Sequence, residues 1–121
     1  MDKNLLGDYG ELTALRYLRF HGYKIVDVNY RCKFGEIDII AEDRKYICFV
    51  EVKTRSENNF FSPADAVDFS KRSKLISSAN LFLKNYDIKR QPRFDIIEVY
   101  FLNNEPSRLN HIEGAFDGTG N

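Results

Sequence analysis

The sequence predicts a single α/β domain: one sheet of four to five strands with helices packed against it. Two segments carry apolar residues at helical spacing, several short runs alternate with a period of two, and residues 46–53 form a nearly continuous apolar run. The last pattern marks a strand in the middle of a sheet, covered on both faces.

The spacing of Leu12, Ala14, Leu15 and Leu18 predicts a helix over residues 8–21, with Gly22 as its stop. Glu11 precedes Leu15 by four and Leu18 by seven and so shares their face, where a carboxylate must be paired, solvated through a cleft or bound to a cation. A partner for the helix N-terminal dipole is the plainer use for it. From Lys24 to Tyr30 the period switches to two, predicting a first strand. A basic connection, Arg31-Cys32-Lys33-Phe34-Gly35, leads to a second strand over 36–42, and Asp43-Arg44-Lys45 marks a tight turn into the central strand at 46–53.

Residues 55–63 read as a mobile polar loop carrying Phe60, Phe61 and Pro63. A second helix is predicted from Ser70, a plausible cap, to Asn85, with Leu75, Ile76, Ala79, Phe82 and Leu83 as its apolar stripe. Lys71, Arg72 and Lys74 load its first turn, the unfavourable end for cations, which suggests a use for them outside the helix. A fourth strand follows over 94–102, Asn103-Asn104 signals a hairpin, and a short edge strand returns over 109–113. Residues 1–116 make the domain, and the glycine-rich end, 117–121 at least, reads as a frayed tail.

At 121 residues, the chain has the length of one ordinary domain and can fold without a disulfide or structural metal. Hydrophobic residues at 43% and charged residues at 30% exclude disorder, a collagen-like repeat and a coiled coil. No apolar run approaches a membrane span and the N-terminus lacks a signal-peptide pattern, so a cytoplasmic protein is expected. Cys32 and Cys48 are too few and too far apart for a paired-cysteine zinc site; Cys48 is expected to pack as a small hydrophobe. The zero net charge hides an asymmetry. Residues 1–94 carry 17 Lys and Arg against 13 Asp and Glu, and residues 95–121 carry Arg108 against five acids. That distribution permits nucleic-acid binding without requiring it.

If the hairpin turns about the Arg44–Lys45 bond, Asp38 lies opposite Glu51, and Lys53 shares the face of Glu51. Opposed carboxylates beside apolar neighbours destabilise a hairpin unless something compensates. A divalent cation, Mg²⁺ or Mn²⁺, does so with hard oxygen ligands. Lys53 would then stand where it could orient a water or neutralise charge at phosphorus. The alternative is a structural ion network in which Lys53 and Arg55 neutralise the acids. His21 and His111 have no acidic partner in sequence reach and read as surface residues. Tyr30 and Phe34 among Arg31 and Lys33 resemble the aromatic and basic pattern of single-strand binders, and strand-edge packing explains them as well.

The order of a helix bearing Gly10-Glu11, then Gly35-Glu36-Ile37-Asp38, then Glu51-Val52-Lys53-Thr54-Arg55 resembles the PD-(D/E)XK nuclease superfamily near the archaeal Holliday junction resolvases. Within that branch it looks like the YraN-type family of small bacterial proteins. Asn29-Tyr30-Arg31, Ala66-Val67, Lys71, Lys74 and Arg93-Phe94-Asp95 extend the likeness over most of the chain. The resemblance implies a restriction-endonuclease-like core: a central mixed sheet flanked by helices. It also implies Asp38 and Glu51 as metal ligands, the Val52 carbonyl and Glu11 as further ligands, and Lys53 as the catalytic lysine. Ile37 stands where the superfamily's name has proline. The activity so implied is Mg²⁺- or Mn²⁺-dependent phosphodiester hydrolysis on DNA, with branched or repair intermediates as candidate substrates. A non-cleaving nucleic-acid-binding accessory protein of the same fold is the alternative. Arg31, Lys33, Arg55, Lys71, Lys74 and Arg93 are the expected nucleic-acid contacts. Resolvase-like relatives work as dimers; a homodimer and the identity of any protein partner are left open.

Overall fold

Seven elements follow in chain order: α1 (Lys3–Phe20), β1 (Lys24–Cys32), β2 (Gly35–Glu42), β3 (Tyr46–Ser56), α2 (Phe69–Tyr86), β4 (Gln91–Leu102) and β5 (Glu105–Phe116). The computed structural model describes residues 3–58 and 69–121. The expected loop with Phe60, Phe61 and Pro63, and Ala66-Val67, lie largely or wholly outside the described residues.

The five strands form one sheet in sequence order, β1-β2-β3-β4-β5. β3 pairs with β4 in parallel and all other neighbours are antiparallel, so the sheet is mixed, with α2 as the crossover. The central placement of β3 follows from its composition. Ile47, Cys48, Phe49 and Val50 are all fully buried, because the sheet is covered on both sides. On one face α1 buries Ala14 and Leu18 against Ile39, Ala41, Cys48, Val50, Ile97 and Val99. On the other α2 buries Leu75, Ala79 and Phe82 against Ile37, Ile40, Phe49 and Phe94. Among the described residues, no helix is long and apolar enough to cross a membrane.

Most sequence-derived boundaries hold within a few residues. Gly22 adopts φ 87 and ends α1, and Asn103 and Asn104 take φ 53 and 63 at the β4–β5 turn. Three expectations are corrected. Leu12 is 43% exposed, because the core stripe of α1 runs through Ala14 and Leu18 and Leu12 falls outside it. β5 spans Glu105–Phe116 rather than a short stretch, and Gly114 lies inside it. Residues 117–121 close a turn in which Asp117 N–H donates to Asn121 O and Gly120 N–H to Asp117 O. Arg72 donates to Gly120 O at 2.9 Å, which fastens this turn to α2.

Candidate active site

The turn at Arg44–Lys45 sits where the sequence placed it. Ile39 pairs with Val50, Ala41 with Cys48 and Glu42 with Ile47, the register that sets Asp38 and Glu51 next in line. The ladder stops before reaching them. Ile37 packs on the α2 face while Ile39 packs on the α1 face, so side-chain alternation breaks at Asp38. Instead of standing on one face of the sheet, Asp38 fills the gap where β2 and β3 part, and its Oδ2 accepts the Val52 N–H at 2.8 Å. In an extended strand the N–H and C=O of one residue project the same way, so the Val52 carbonyl faces this gap too.

The opposite strand breaks at the same level. Asn29 has φ 54 within β1, between the pairs Val28–Ile39 and Tyr30–Ile37. Such a conformation is rare outside glycine, and asparagine tolerates it best. With its amide nitrogen turned toward the acids, Asn29 donates to Glu11 Oε1 at 3.2 Å and to Glu36 Oε1 at 3.1 Å. Two carboxylates from different elements are thereby held side by side.

Glu11 is delivered by a close approach of α1 to β3. A Cβ on Gly10 would lie 2.5 Å from Thr54 Oγ1, so only glycine lets the helix settle at this depth. Among the described residues, Glu11, Glu36 and Asp38 offer oxygens that all lie within 4.8 Å of one another. Burial first, and then the charge of Glu51, pushes the Asp38 carboxyl up to about 7. Glu11 is raised as well, by burial and by Asp8, Glu36 and Glu51, against a hydrogen bond from Asp38 that lowers it. A crowd of half-buried acids that resist ionising is what a hard divalent cation relieves, and the all-oxygen donor set suits Mg²⁺ or Mn²⁺.

Glu51 stands beside Lys53, as the shared face predicts, and also meets Lys71 of α2. Its Oε1 takes the Lys71 ammonium at 3.1 Å and the Lys53 ammonium at 3.7 Å. Burial, and Lys71 beside it, hold the Lys53 pKa below its ordinary value. Two adjoining clefts share Glu36, Asp38, Glu51 and Lys71; one extends along α1 to Glu11 and Arg31, the other along α2 to Lys74.

The six expected nucleic-acid contacts separate into two groups. Arg31 is 79% exposed and pairs with Glu36 at 3.0 Å on the rim, and Lys71 and Lys74 line the clefts. Lys33 stands farther out, at the β1–β2 turn, over the Phe34 ring. Arg55 instead pairs with Glu98 at 2.8 Å, both side chains being mostly buried. The ion-network alternative paired it with Asp38 and Glu51; the short ion pair it makes runs to Glu98 of β4. Arg93 is held by Asp95 and by the Tyr23 hydroxyl, away from the acids.

Sequence reasoning gave Glu36 and Asn29 no role of their own. Glu36 precedes Asp38 by two on an alternating strand, a signal that was there to use; the left-handed turn of Asn29 leaves no such trace. His111 is likewise not the surface residue expected: it bonds Asp95 Oδ2 at 2.7 Å and the Tyr17 hydroxyl at 3.0 Å, with its side chain 5% exposed. Cys48 packs as expected, its thiol pushed up to about 12 by burial.

The sequence model of the uncharacterised protein family UPF0102 matches residues 10–99, which include Glu11, Glu36, Asp38, Glu51, Lys53, Lys71 and Lys74. A UPF0102 protein of Caldanaerobacter subterraneus subsp. tengcongensis is 48% identical over 120 residues, 96% of this chain and 98% of that one. One from Clostridioides difficile is 46% identical over 117 residues, covering 96% of this chain and all of its own. One from Persephonella marina is 44% identical over 112 residues and 92% of each chain. The chain therefore belongs to the uncharacterised protein family UPF0102, the YraN-type family that its motifs resemble.

Proposed function

We propose that this protein is a divalent-metal-dependent nuclease that hydrolyses phosphodiester bonds in DNA. The observation that carries the reading is the convergence of Glu11, Glu36 and Asp38 within 4.8 Å, next to a lysine whose pKa is lowered. Those three carboxylates would hold Mg²⁺ or Mn²⁺, with Glu51 and the Val52 carbonyl at the edge of the site. The cation would supply Lewis acidity at a phosphodiester oxygen and make a water easier to deprotonate.

The chain's own groups divide the remaining work. Val52 N–H fixes one oxygen of Asp38, and Asn29 fixes the spacing of Glu11 and Glu36. Lys53, anchored beside Glu51, is placed to orient a water or to neutralise charge developing on a phosphoryl oxygen. Arg31, Lys71 and Lys74 ring the clefts with positive charge for flanking phosphates.

The test is incubation of branched, duplex and single-stranded DNA with Mn²⁺ and the wild-type protein, Asp38→Asn, Glu51→Gln or Lys53→Ala. Each variant should cut slower by at least about a hundredfold while melting as a folded domain. Equal cutting by Lys53→Ala would overturn its role. A second reading, nucleic-acid binding without cleavage, is favoured by Lys71 and Lys53 already closing on Glu51. It predicts salt-dependent binding and no metal-dependent product.

A further inference from the structure

The β1–β2 turn, Lys33-Phe34, lies beside α2: a Cβ added at Gly35 would stand 4.0 Å from Lys74 Cβ and from Ser78 Oγ. Cys32 Sγ donates to Ser78 Oγ at 3.3 Å and secures the contact. Two aromatics of this hairpin now part company. Tyr30 packs edge-on against Phe82 at 5.3 Å and belongs to the core, whereas Phe34 is 40% exposed. Phe34 borders a shallow groove of about 330 Å³ with Ser77, Asn80, Leu81 and Lys84 of α2.

We propose that this groove binds one unpaired nucleobase of a DNA strand, stacked on Phe34, with Lys33, Lys74 and Lys84 on the phosphates either side. Charge complementarity selects this occupant. Lys33 Nζ lies over the Phe34 ring, 5.2 Å from its centroid, where a stacking base would displace it toward its own phosphate; Lys84 is a second cation in the lining, and no carboxylate lines the groove among the described residues. Asn80 and Ser77 offer hydrogen bonds to a base edge without enforcing one base. The volume is at the small end of ligand sites, which run from roughly 300 to 1,000 Å³. A single exposed ring is ordinary on a protein surface; a ring at a turn tip, flanked by cations, an amide and a hydroxyl, is a stacking platform.

Position links the groove to the acids. Phe34 and Glu36 are two residues apart, at most about 7 Å of chain, and Lys74 lines the cleft that contains Glu36 and Asp38. A base inside a duplex is covered on both faces, so stacking here requires a splayed or single-stranded nucleotide. Resting on the proposed nuclease reading, the inference narrows the substrate to DNA with unpaired nucleotides beside the scissile phosphate.

The experiment is fluorescence anisotropy of labelled oligothymidine and of a hairpin duplex in EDTA, so that binding is read without cleavage, with Phe34→Ala, Phe34→Tyr and a Lys33→Ala/Lys84→Ala double variant. Phe34→Ala should melt like wild type and bind oligothymidine about 5- to 150-fold more weakly, the range for one lost stack at roughly 1–3 kcal/mol. Phe34→Tyr should restore binding, duplex affinity should not change, and only the double lysine variant should flatten the salt dependence, by roughly 0.7 per phosphate lost. Unchanged oligothymidine affinity in Phe34→Ala, or no single-strand binding by wild type, overturns the groove. The nuclease reading fails separately: a wild type that stacks oligothymidine through Phe34 yet cuts nothing with Mn²⁺ keeps the groove and loses the nuclease. Cutting that ignores Phe34→Ala does the reverse.

Discussion

Just past Ile39–Val50, the last ladder pair of β2 and β3, the Val52 N–H donates to Asp38 Oδ2 at 2.8 Å, so a side chain takes over where the backbone pairing ends. This bond holds the carboxylate in the gap even though burial and Glu51 push its pKa up to about 7. A carboxyl raised in the folded state favours folding while it is protonated. Its contribution is fully present below about pH 4, the unfolded value, and is lost as pH rises through about 7.

Asp38→Asn keeps an acceptor for Val52 and removes the charge. In the metal-free protein the variant should be more stable than wild type at pH 8, on the order of 1–2 kcal/mol, and level with it near pH 4. Urea unfolding at the two pH values reads this directly. Mn²⁺ should raise the melting temperature of wild type and leave the variant unmoved. A variant that is less stable at pH 8 and blind to Mn²⁺ would instead make Asp38 part of a structural ion network.

Gly10→Ala tests how α1 brings Glu11 to the site. In open space the change would favour the helix by up to about 1 kcal/mol, but the new Cβ would meet Thr54 Oγ1 at 2.5 Å. The contact with β3 should win, with a loss of about 1–3 kcal/mol and weaker Mn²⁺ stabilisation as Glu11 lifts away. Thr54→Ala in the same chain should recover most of both, because it removes the oxygen that clashes. Thermal melts of the four proteins of the cycle give the coupling, and simple additivity would show that the two positions do not press on each other.

Asp95 is the buried acid with the opposite character. It sits in the β4–β5 bulge and receives Arg93 through both oxygens, His111, and the Gly114 N–H. Burial alone would raise its pKa; the bonds from His111, Arg93 and Gly114 overcome this and hold it below the ordinary carboxylate range. Its stabilisation is therefore present above about pH 4 and lost as the pH falls through the lowered value. Asp95→Ala should cost about 3–5 kcal/mol at pH 7, with Arg93 left to the Tyr23 hydroxyl and a longer contact with the exposed Glu113, and less at acid pH. The Mn²⁺-induced shift in melting temperature should survive in whatever fraction folds, which separates this structural acid from Asp38.

What could be read from the sequence follows physical range. The turn at Asp43-Arg44-Lys45 fixed the β2–β3 register, because neighbours in the chain set it, and the apolar run of residues 46–53 placed β3 at the centre. Glu11 was legible as a charge on a buried helix face. Partners distant in sequence were not: Arg55 finds Glu98, and His111 finds Asp95 and Tyr17, only once β4 and β5 are laid beside β3 and α1. Nor could alternation foresee its own failure at Asp38, where Ile37 and Ile39 turn to opposite faces and the carboxylate moves into the strand gap. That break is what groups Asp38 with Glu11 and Glu36 and leaves Glu51 to the lysines.

Asn29 offers the sharpest separation of backbone from side chain. Its φ of 54 strains any residue with a Cβ, while its amide spans Glu11 and Glu36. Asn29→Gly relieves the backbone and deletes the amide, so the metal-free protein should be as stable as wild type or a few tenths of a kcal/mol more so. The Mn²⁺ concentration needed for half of the stabilisation should rise about tenfold or more, as removal of a residue that orients metal ligands does. Asn29→Asp keeps the size but adds a fourth carboxylate, between Glu11 and Glu36, so the metal-free protein should be destabilised at pH 8 more than at pH 5. Calorimetric melts over a Mn²⁺ series measure both effects. If Asn29→Gly bound Mn²⁺ as wild type does, the asparagine would be serving the turn of β1 alone, and the spacing of Glu11 and Glu36 would have to come from the packing of α1.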